Sequence, residues 1–359
     1  MTRRSISLPA ALSVAALLPL APLLHGTGTS DTPSYPSPTN APVNAPSTAP
    51  GASVAHGAEA AEARAHSSRE DRAHASRLWG AVGHGYAATA AMETLPEGMP
   101  EFFLEARDQL VWLNPEPDRW RDSDYPEMNE GFRYDHYIDL ENIPDPSILD
   151  EAGDRWQFYA ALLEAGVENP QRDVGFLPFA VVELQQRLVN GFVRWRTADD
   201  PVERRWIEER IINDAGIMGH YITDGSQPHH TTIHFNGWDE EQVPNPEGYT
   251  TDRGFHSRFE TRFVNAHVEQ DHVSPRAMAR EARDLSHDVR GEVIDFVRYV
   301  NSYVEELYRI DRDHGFEPDE PADPVSLEFA AERIADGAAM LRDLWWSAWL
   351  ESEAVAEGG

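Results

Sequence analysis

Two histidine and carboxylate pairs stand at the spacing of one helical turn. His220 and Asp224 lie four residues apart, and so do His256 and Glu260. Each pair therefore projects from one side of a helix, as two ligands of one metal ion require. His230 follows Asp224 after a glycine and a proline, whose turn can swing it back toward the same cavity. Because isolated pairs of this kind are common surface contacts on helices, only the combination makes a metal site the first hypothesis.

Three further side chains extend this set toward the N-terminus. His84 lies in a predicted first helix, and Asp118 and His136 flank a proline-rich stretch. Taken singly, these are explained equally well as a core histidine, a turn aspartate and a core or surface histidine. The chain contains no cysteine, which excludes disulfides and thiolate metal sites. Any zinc must therefore be held by histidine and carboxylate ligands.

The elements that position these side chains are predicted to be helices. One apolar stripe runs from Val289 to Leu307 at alternating spacings of four and three, and a second runs from Ile334 to Ala348. No segment shows the period-two alternation of a sustained sheet. We therefore expect an all-α fold with one multi-helix domain over residues 79–355. Helices are predicted at 79–94, 101–113, 154–166, 175–197, 201–224, 254–268, 275–311 and 324–353, with a loop-like stretch at 114–152.

The composition limits the partners and the location of the chain. Its 359 residues carry a formal charge of -32 and no lysine, so we expect no stable nucleic-acid partner. Residues 1–25 have the positive and then apolar order of a signal peptide, by the Sec or the twin-arginine route. Residues 26–78 are predicted to be a flexible linker or propeptide. No later stretch is apolar and long enough to span a bilayer, and the predicted location is secreted or periplasmic.

The motifs around these side chains resemble those of the zinc-dependent phospholipase C family and of the related single-strand-specific zinc nucleases. The resemblance covers residues 79–260, and the helices after it match only in being helical. The matching motifs are Trp79-Gly80-x-x-Gly83-His84, Pro117-Asp118-x-x-Arg121, Asp135-His136-Tyr137-Ile138-Asp139, Gly219-His220-Tyr221-x-x-Asp224-x-x-Gln227-Pro228-x-His230 and Gly254-Phe255-His256-Ser257-x-x-Glu260.

This resemblance implies a centre of three zinc ions. The first zinc would be held by Asp118, His136, His220 and Asp224. The second would be held by His230, His256 and Glu260. The third would be held by Asp224, His84 and the amine and carbonyl groups of Trp79. The resemblance also gives Asp118 the role of general base.

The implied role of Trp79 has a consequence for processing. A peptide nitrogen is not a useful metal ligand until cleavage turns it into an amine. We therefore expect a processing protease to cut between Leu78 and Trp79.

The resemblance also separates the candidate functions. Glu260 favours the phospholipase branch, since the nucleases typically carry Asp at this position. Val82 and Arg133 replace the residues of the choline pocket, and Arg133 as a substrate-binding residue would favour an anionic head group or another phosphodiester. The leading hypothesis is a secreted phospholipase C-like hydrolase of phosphate esters, acting on a phospholipid or other phosphodiester. The alternatives are a single-strand-specific zinc nuclease and a non-catalytic zinc-binding exported protein.

Overall fold

The structure, a computed structural model, describes residues 80–358. Across these residues it contains helices, turns and connecting segments, with two isolated β-bridges and no longer strand. The all-α prediction is confirmed for this part of the chain. The α-helices are α1 (Ala81–Glu93), α2 (Glu101–Glu105), α3 (Arg107–Leu113), α4 (Glu116–Arg119), α5 (Pro126–Phe132), α6 (Ser147–Glu151), α7 (Arg155–Glu164), α8 (Pro170–Asp173), α9 (Leu177–Thr197), α10 (Pro201–Asp224), α11 (Phe255–Ser257), α12 (Val264–His267), α13 (Gln270–Met278), α14 (Val289–Asn301), α15 (Val304–Asp313) and α16 (Pro324–Gly358).

Three 3-10 turns and one π-helical segment complete the helical elements. A π-helical segment joins α11 to α12 without a break, so the two form one continuous helical stretch. Such segments are rare and often mark functional sites. The 3-10 turns are Arg133–His136, Leu140–Asn142 and Pro228–Thr231, and the π-helical segment is Arg258–Phe263.

Helices α9, α10 and α16 pack against one another at the centre of the fold. Helix α10 begins at Pro201, because the Asp200 side chain caps it by accepting a hydrogen bond from the Val202 amide at 2.8 Å. Its last turn is buried on all sides. The side chains of that turn, among them His220 and Asp224, therefore lie inside the molecule.

Helix α16 passes two hydrophobic clusters. Trp345 packs against Phe103 in the first, with ring centroids 5.3 Å apart. In the second, Phe329 lies 6.1 Å from Phe259, and Phe259 lies 4.7 Å from Phe316. Because Phe259 belongs to the π-helical segment, the second cluster anchors the helix that carries Glu260.

The prediction of a single helix over 275–311 is wrong. The chain is not helical over 279–288, and α14 and α15 are also separate helices. The Asp288 side chain caps α14 by accepting a hydrogen bond from a backbone amide of its first turn at 3.0 Å. The Leu285 amide donates a hydrogen bond to the Ser347 hydroxyl on α16 at 2.7 Å. Capping and tertiary hydrogen bonds thus override the local helical pattern.

The stretch 114–152, predicted to be loop-like, contains the short helices α4, α5 and α6. Pro117 and Pro126 stand in the first turns of α4 and α5. At that position proline begins a helix, because its missing amide has no intrahelical partner to lose.

No helix between Gly80 and Gly358 is long and apolar enough to cross a bilayer. The segments predicted as signal peptide (1–25) and as linker or propeptide (26–78) lie outside the described residues. Their assignment, and the domain limits 79–355, stay predictions.

Candidate metal centre

The end of α10 supplies the first two ligand candidates. His220 Nε2 lies 3.2 Å from Asp224 Oδ2, and both side chains are fully buried. Beyond the helix, the Gln227 side chain accepts a hydrogen bond from the His229 amide at 2.7 Å and starts a 3-10 turn. That turn brings His230 back, with its Nδ1 atom 3.8 Å from Asp224 Oδ2.

Four predicted ligands of the first zinc lie together. His136 Nδ1 is 2.9 Å from Asp224 Oδ2 and 3.0 Å from His220 Nε2. Asp118 Oδ1 is 3.8 Å from His136 Nδ1 and 3.7 Å from His220 Nε2. The four atoms thus converge from α4, the turn before Tyr137 and α10.

Three further side chains form a second group beside the first. Glu260 Oε2 lies 2.8 Å from His256 Nε2 and 3.3 Å from His230 Nε2. The two histidine nitrogens are 3.2 Å apart. His256 and Glu260 come from the continuous helix that contains the π segment, so their predicted spacing of one turn is retained.

His84 lies on the other side of Asp224. Its Nε2 atom is 3.4 Å from Asp224 Oδ1, the oxygen that does not face His136. Its ring stacks on that of His220 with centroids 4.2 Å apart. Asp224 therefore presents one oxygen to the first group and one to His84, which is the arrangement of a bridging carboxylate.

The residues present fit metal ions. Three groups of histidine and carboxylate side chains have ligand atoms within 4.8 Å of one another. Among the described residues, His84 Nε2, Asp118 Oδ1 and Asp224 Oδ1 are buried and make no hydrogen bond, although buried polar atoms are nearly always paired. The candidate ligand atoms are nitrogen and oxygen, which zinc binds at about 2.0–2.2 Å. The distances between these atoms are comparable with those between the ligand atoms of a tetrahedral zinc ion.

Neighbouring groups fix the orientation of several ligands. The Nδ1 atom of His230 donates to the His136 carbonyl at 2.6 Å, which leaves its Nε2 lone pair for a metal. Asn114 Oδ1 accepts from His84 Nδ1 at 2.9 Å with the same effect. Gln227 Nε2 donates to Glu260 Oε2 at 2.8 Å. Such supporting bonds are characteristic of metal-binding histidines and carboxylates.

The electrostatics of the centre favour a cation. Burial lowers the pKa of His230, but Asp224 and Glu260 outweigh it and raise that pKa to about 9. Burial opposes ionisation of Asp224, yet His220 and His230 hold its pKa well below the usual range. The negative potential that favours a proton on these histidines also favours a metal dication.

One edge of the centre reaches solvent. The side chains of Asp118 and Arg121 are 12% and 27% exposed, whereas those of His220 and Asp224 are fully buried. Arg121 Nη1 lies 3.8 Å from Asp118 Oδ1. Burial raises the pKa of Asp118, and Asp224 adds to this effect. A carboxylate and a guanidinium therefore stand at the edge of the centre that solvent reaches.

The structure brings together every predicted ligand that it describes. Trp79 lies outside the described residues, so its role stays a prediction. Arg133 is exposed, with its Nη1 atom 3.2 Å from Glu130 Oε1 and its guanidinium 5.6 Å from the centre of the Tyr134 ring. Its role in substrate binding stays a prediction as well.

Three supporting residues were not assigned from the sequence. Gln227 and Arg121 belong to the quoted motifs, so the sequence indicates that they lie near the site. It does not indicate which ligands they contact. No sequence pattern indicates the role of Asn114, because its contact with His84 joins residues 30 positions apart.

Comparison with known proteins adds little to this geometry. No family model matches the sequence, and no curated protein is similar to it at a significant level. Among solved structures, the chain is similar to the alpha-toxin of Clostridium perfringens from an avian strain, with 12% identity and a TM-score of 0.37. The match covers 79% of this chain and 65% of the toxin chain, so it spans less than two thirds of that protein. A similarity of this size says nothing about the reaction.

Proposed function

We propose that this protein is a secreted, zinc-dependent hydrolase of phosphate esters of the phospholipase C type. The observation that carries the proposal is the convergence of eight histidine and carboxylate side chains on one buried centre. Several of their ligand atoms are buried and make no hydrogen bond within residues 80–358. A structural role alone would leave these atoms unpaired at a high cost in free energy.

We assign the proposed ligands to the three sets that the resemblance to the phospholipase C family implies. Three zinc ions bound there would supply a water molecule acidic enough to act as a nucleophile at neutral pH and positive charge for the phosphoryl oxygens. Two sets share Asp224, whose two oxygens face different partners. The proposed zinc ligands are His84, Asp118, His136, His220, Asp224, His230, His256 and Glu260, with Trp79.

Asp118 is the proposed general base. Its carboxylate lies at the solvent-facing edge of the centre, so a water molecule that attacks phosphorus can pass a proton to it. Arg121, beside it, can donate hydrogen bonds to the phosphate oxygens and can neutralise part of their charge.

The proposed substrate is a phospholipid or another phosphodiester. The formal charge of -32 disfavours long nucleic acids, which would have to approach an acidic surface. Arg133, exposed on the turn that leads to His136, is the proposed contact for an anionic head group.

Hydrolysis assays test this function directly. The purified protein, depleted of metal and then reloaded with zinc, is assayed on bis(p-nitrophenyl) phosphate, on phospholipid vesicles and on single-stranded DNA. We expect zinc-dependent cleavage of the first two substrates and slower cleavage of DNA. Faster cleavage of DNA would assign the chain to nuclease chemistry. Full zinc occupancy without cleavage of any substrate would show a non-catalytic zinc protein.

A further inference from the structure

A cavity of about 580 Å³ lies outside the metal centre. It opens between the segment that follows His136 and the segment that follows the turn Pro228–Thr231. None of the proposed zinc ligands lines it. Asp139 and Ile233 are buried in its wall, and Phe235 is exposed at its edge.

Asp139 is an unusual side chain for such a position. It is 5% exposed, and its Oδ1 atom is buried and makes no hydrogen bond to any residue in the range 80–358. Its backbone is held firmly, since the Asp139 amide donates to the Val174 carbonyl at 2.7 Å. The nearby Glu141 is satisfied by contrast, because it accepts from the Thr232 hydroxyl at 2.7 Å. A buried carboxylate oxygen without a hydrogen bond is costly unless something else binds the carboxylate.

The surroundings of Asp139 are acidic. Three more carboxylates line the cavity, those of Glu168, Asp173 and Asp239. The single guanidinium in the lining, that of Arg172, is already bound to Asp173, with Nε 2.9 Å from Oδ1. Burial raises the pKa of Asp139, the charges of Glu141 and Asp173 raise it further, and the charge of His230 lowers it. The cavity therefore attracts positive charge at a point that the described residues do not neutralise by an ion pair.

We propose that this cavity binds a small organic ammonium ion, with its charged nitrogen against Asp139. A metal ion fits less well, because the groups of metal-ligand side chains found in residues 80–358 do not include Asp139. The volume also exceeds that of a bare ion and leaves room for carbon substituents. Val167, Ile233 and Phe235 supply apolar surface for them, and an aromatic face attracts an ammonium group.

Binding of methylammonium and tetramethylammonium tests this proposal. The zinc-loaded protein is titrated with each ion by saturation-transfer NMR, while sodium chloride keeps the ionic strength constant. We expect saturable binding in about the millimolar range, as for a ligand of few atoms. The substitution Asp139→Asn keeps the shape of the side chain and removes the charge, and it should weaken binding about tenfold or more.

Glu168→Gln is the matched control, because it removes one negative charge from an exposed position in the same lining. It should weaken binding by less than about twofold. Should Asp139→Asn fail to fold, as judged by circular dichroism, Asp173→Asn takes its place and should weaken binding about threefold.

Three results would overturn the proposal. They are a lack of saturation with either ion, an equal loss in Asp139→Asn and Glu168→Gln, and displacement of the ammonium ions by micromolar calcium. Because no turnover is needed, the outcome does not depend on whether the metal centre hydrolyses phosphodiesters.

Discussion

Asp224 is the side chain on which the metal centre depends most. Its two oxygens lie within 3.8 Å of nitrogens from His84, His136, His220 and His230. It is also fully buried, so no solvent compensates for a change in its charge. Asp224 therefore connects ligand candidates that stand in separate motifs of the sequence.

Replacing this carboxylate tests its role. We expect Asp224→Asn to lose bound zinc and to lower phosphodiesterase activity about 100-fold or more, because loss of even a supporting group of a metal site costs about 10- to 100-fold in metal affinity or activity. The measurements are metal content by mass spectrometry and initial rates on bis(p-nitrophenyl) phosphate.

Asp214→Asn is the control on the same helix. Asp214 is also buried, but it pairs with Arg187 at 2.7 Å, away from the centre. This variant should lose stability and keep its zinc. Equal zinc content in the two variants would contradict the proposed role of Asp224.

Asn114 offers a second test at the scale of single residues. Removing its side chain in Asn114→Ala leaves His84 Nδ1 without its acceptor, and a lost supporting bond weakens metal affinity about 10- to 100-fold. Asn114→Asp keeps an acceptor and should stay near the wild-type affinity. Titration against a chromophoric chelator measures the weakest-bound zinc. Unchanged affinity in Asn114→Ala would argue against a metal at His84.

At the scale of elements, the segment around His136 is fixed by a close approach to Gly175. Gly175 has φ of 89°, and a Cβ atom there would stand 2.2 Å from the Tyr137 carbonyl oxygen. Its neighbour Leu177 donates its amide to that same oxygen at 3.2 Å. The start of α9 therefore sets the position of the turn that carries His136.

The substitution Gly175→Ala tests this link. An alanine at position 175 would strain the backbone and also clash with the main chain. The substitution Gly166→Ala, at φ of 95°, would strain the backbone without a clash, because no atom lies within 4 Å of the added Cβ atom. We expect Gly166→Ala to cost about 1–2 kcal/mol, and Gly175→Ala to cost about 1–3 kcal/mol more. Urea unfolding measures both. Equal stabilities, with zinc retained in both variants, would contradict the account.

How far the sequence predicts these elements depends on the origin of each one. The helix spacing of His220 and Asp224 is local, so periodicity was sufficient to predict it. The break over 279–288 could not be predicted in this way, because it depends on contacts such as that of Leu285 with Ser347, which are distant in sequence. The prolines at 117 and 126 were misleading for a different reason, since a proline starts some helices and interrupts others.

At the scale of the whole molecule, Gly80 lies beside the metal centre. A Cβ atom on Gly80 would lie 3.2 Å from Thr261 Cγ2, one residue after the ligand candidate Glu260. A cut between Leu78 and Trp79 would place the new amine one residue before Gly80. We expect N-terminal sequencing of the secreted protein to begin at Trp79. A fully active protein with three zinc ions and an earlier N-terminus would exclude Trp79 as an amine ligand.

The proposed function requires metal ions in this centre. Anomalous diffraction recorded above and below the zinc edge, on crystals of the purified protein, locates zinc without any assay. The account predicts three peaks: one among Asp118, His136, His220 and Asp224, one among His230, His256 and Glu260, and one beside His84 and Asp224. Maps without zinc peaks, from protein supplied with excess zinc, would contradict it.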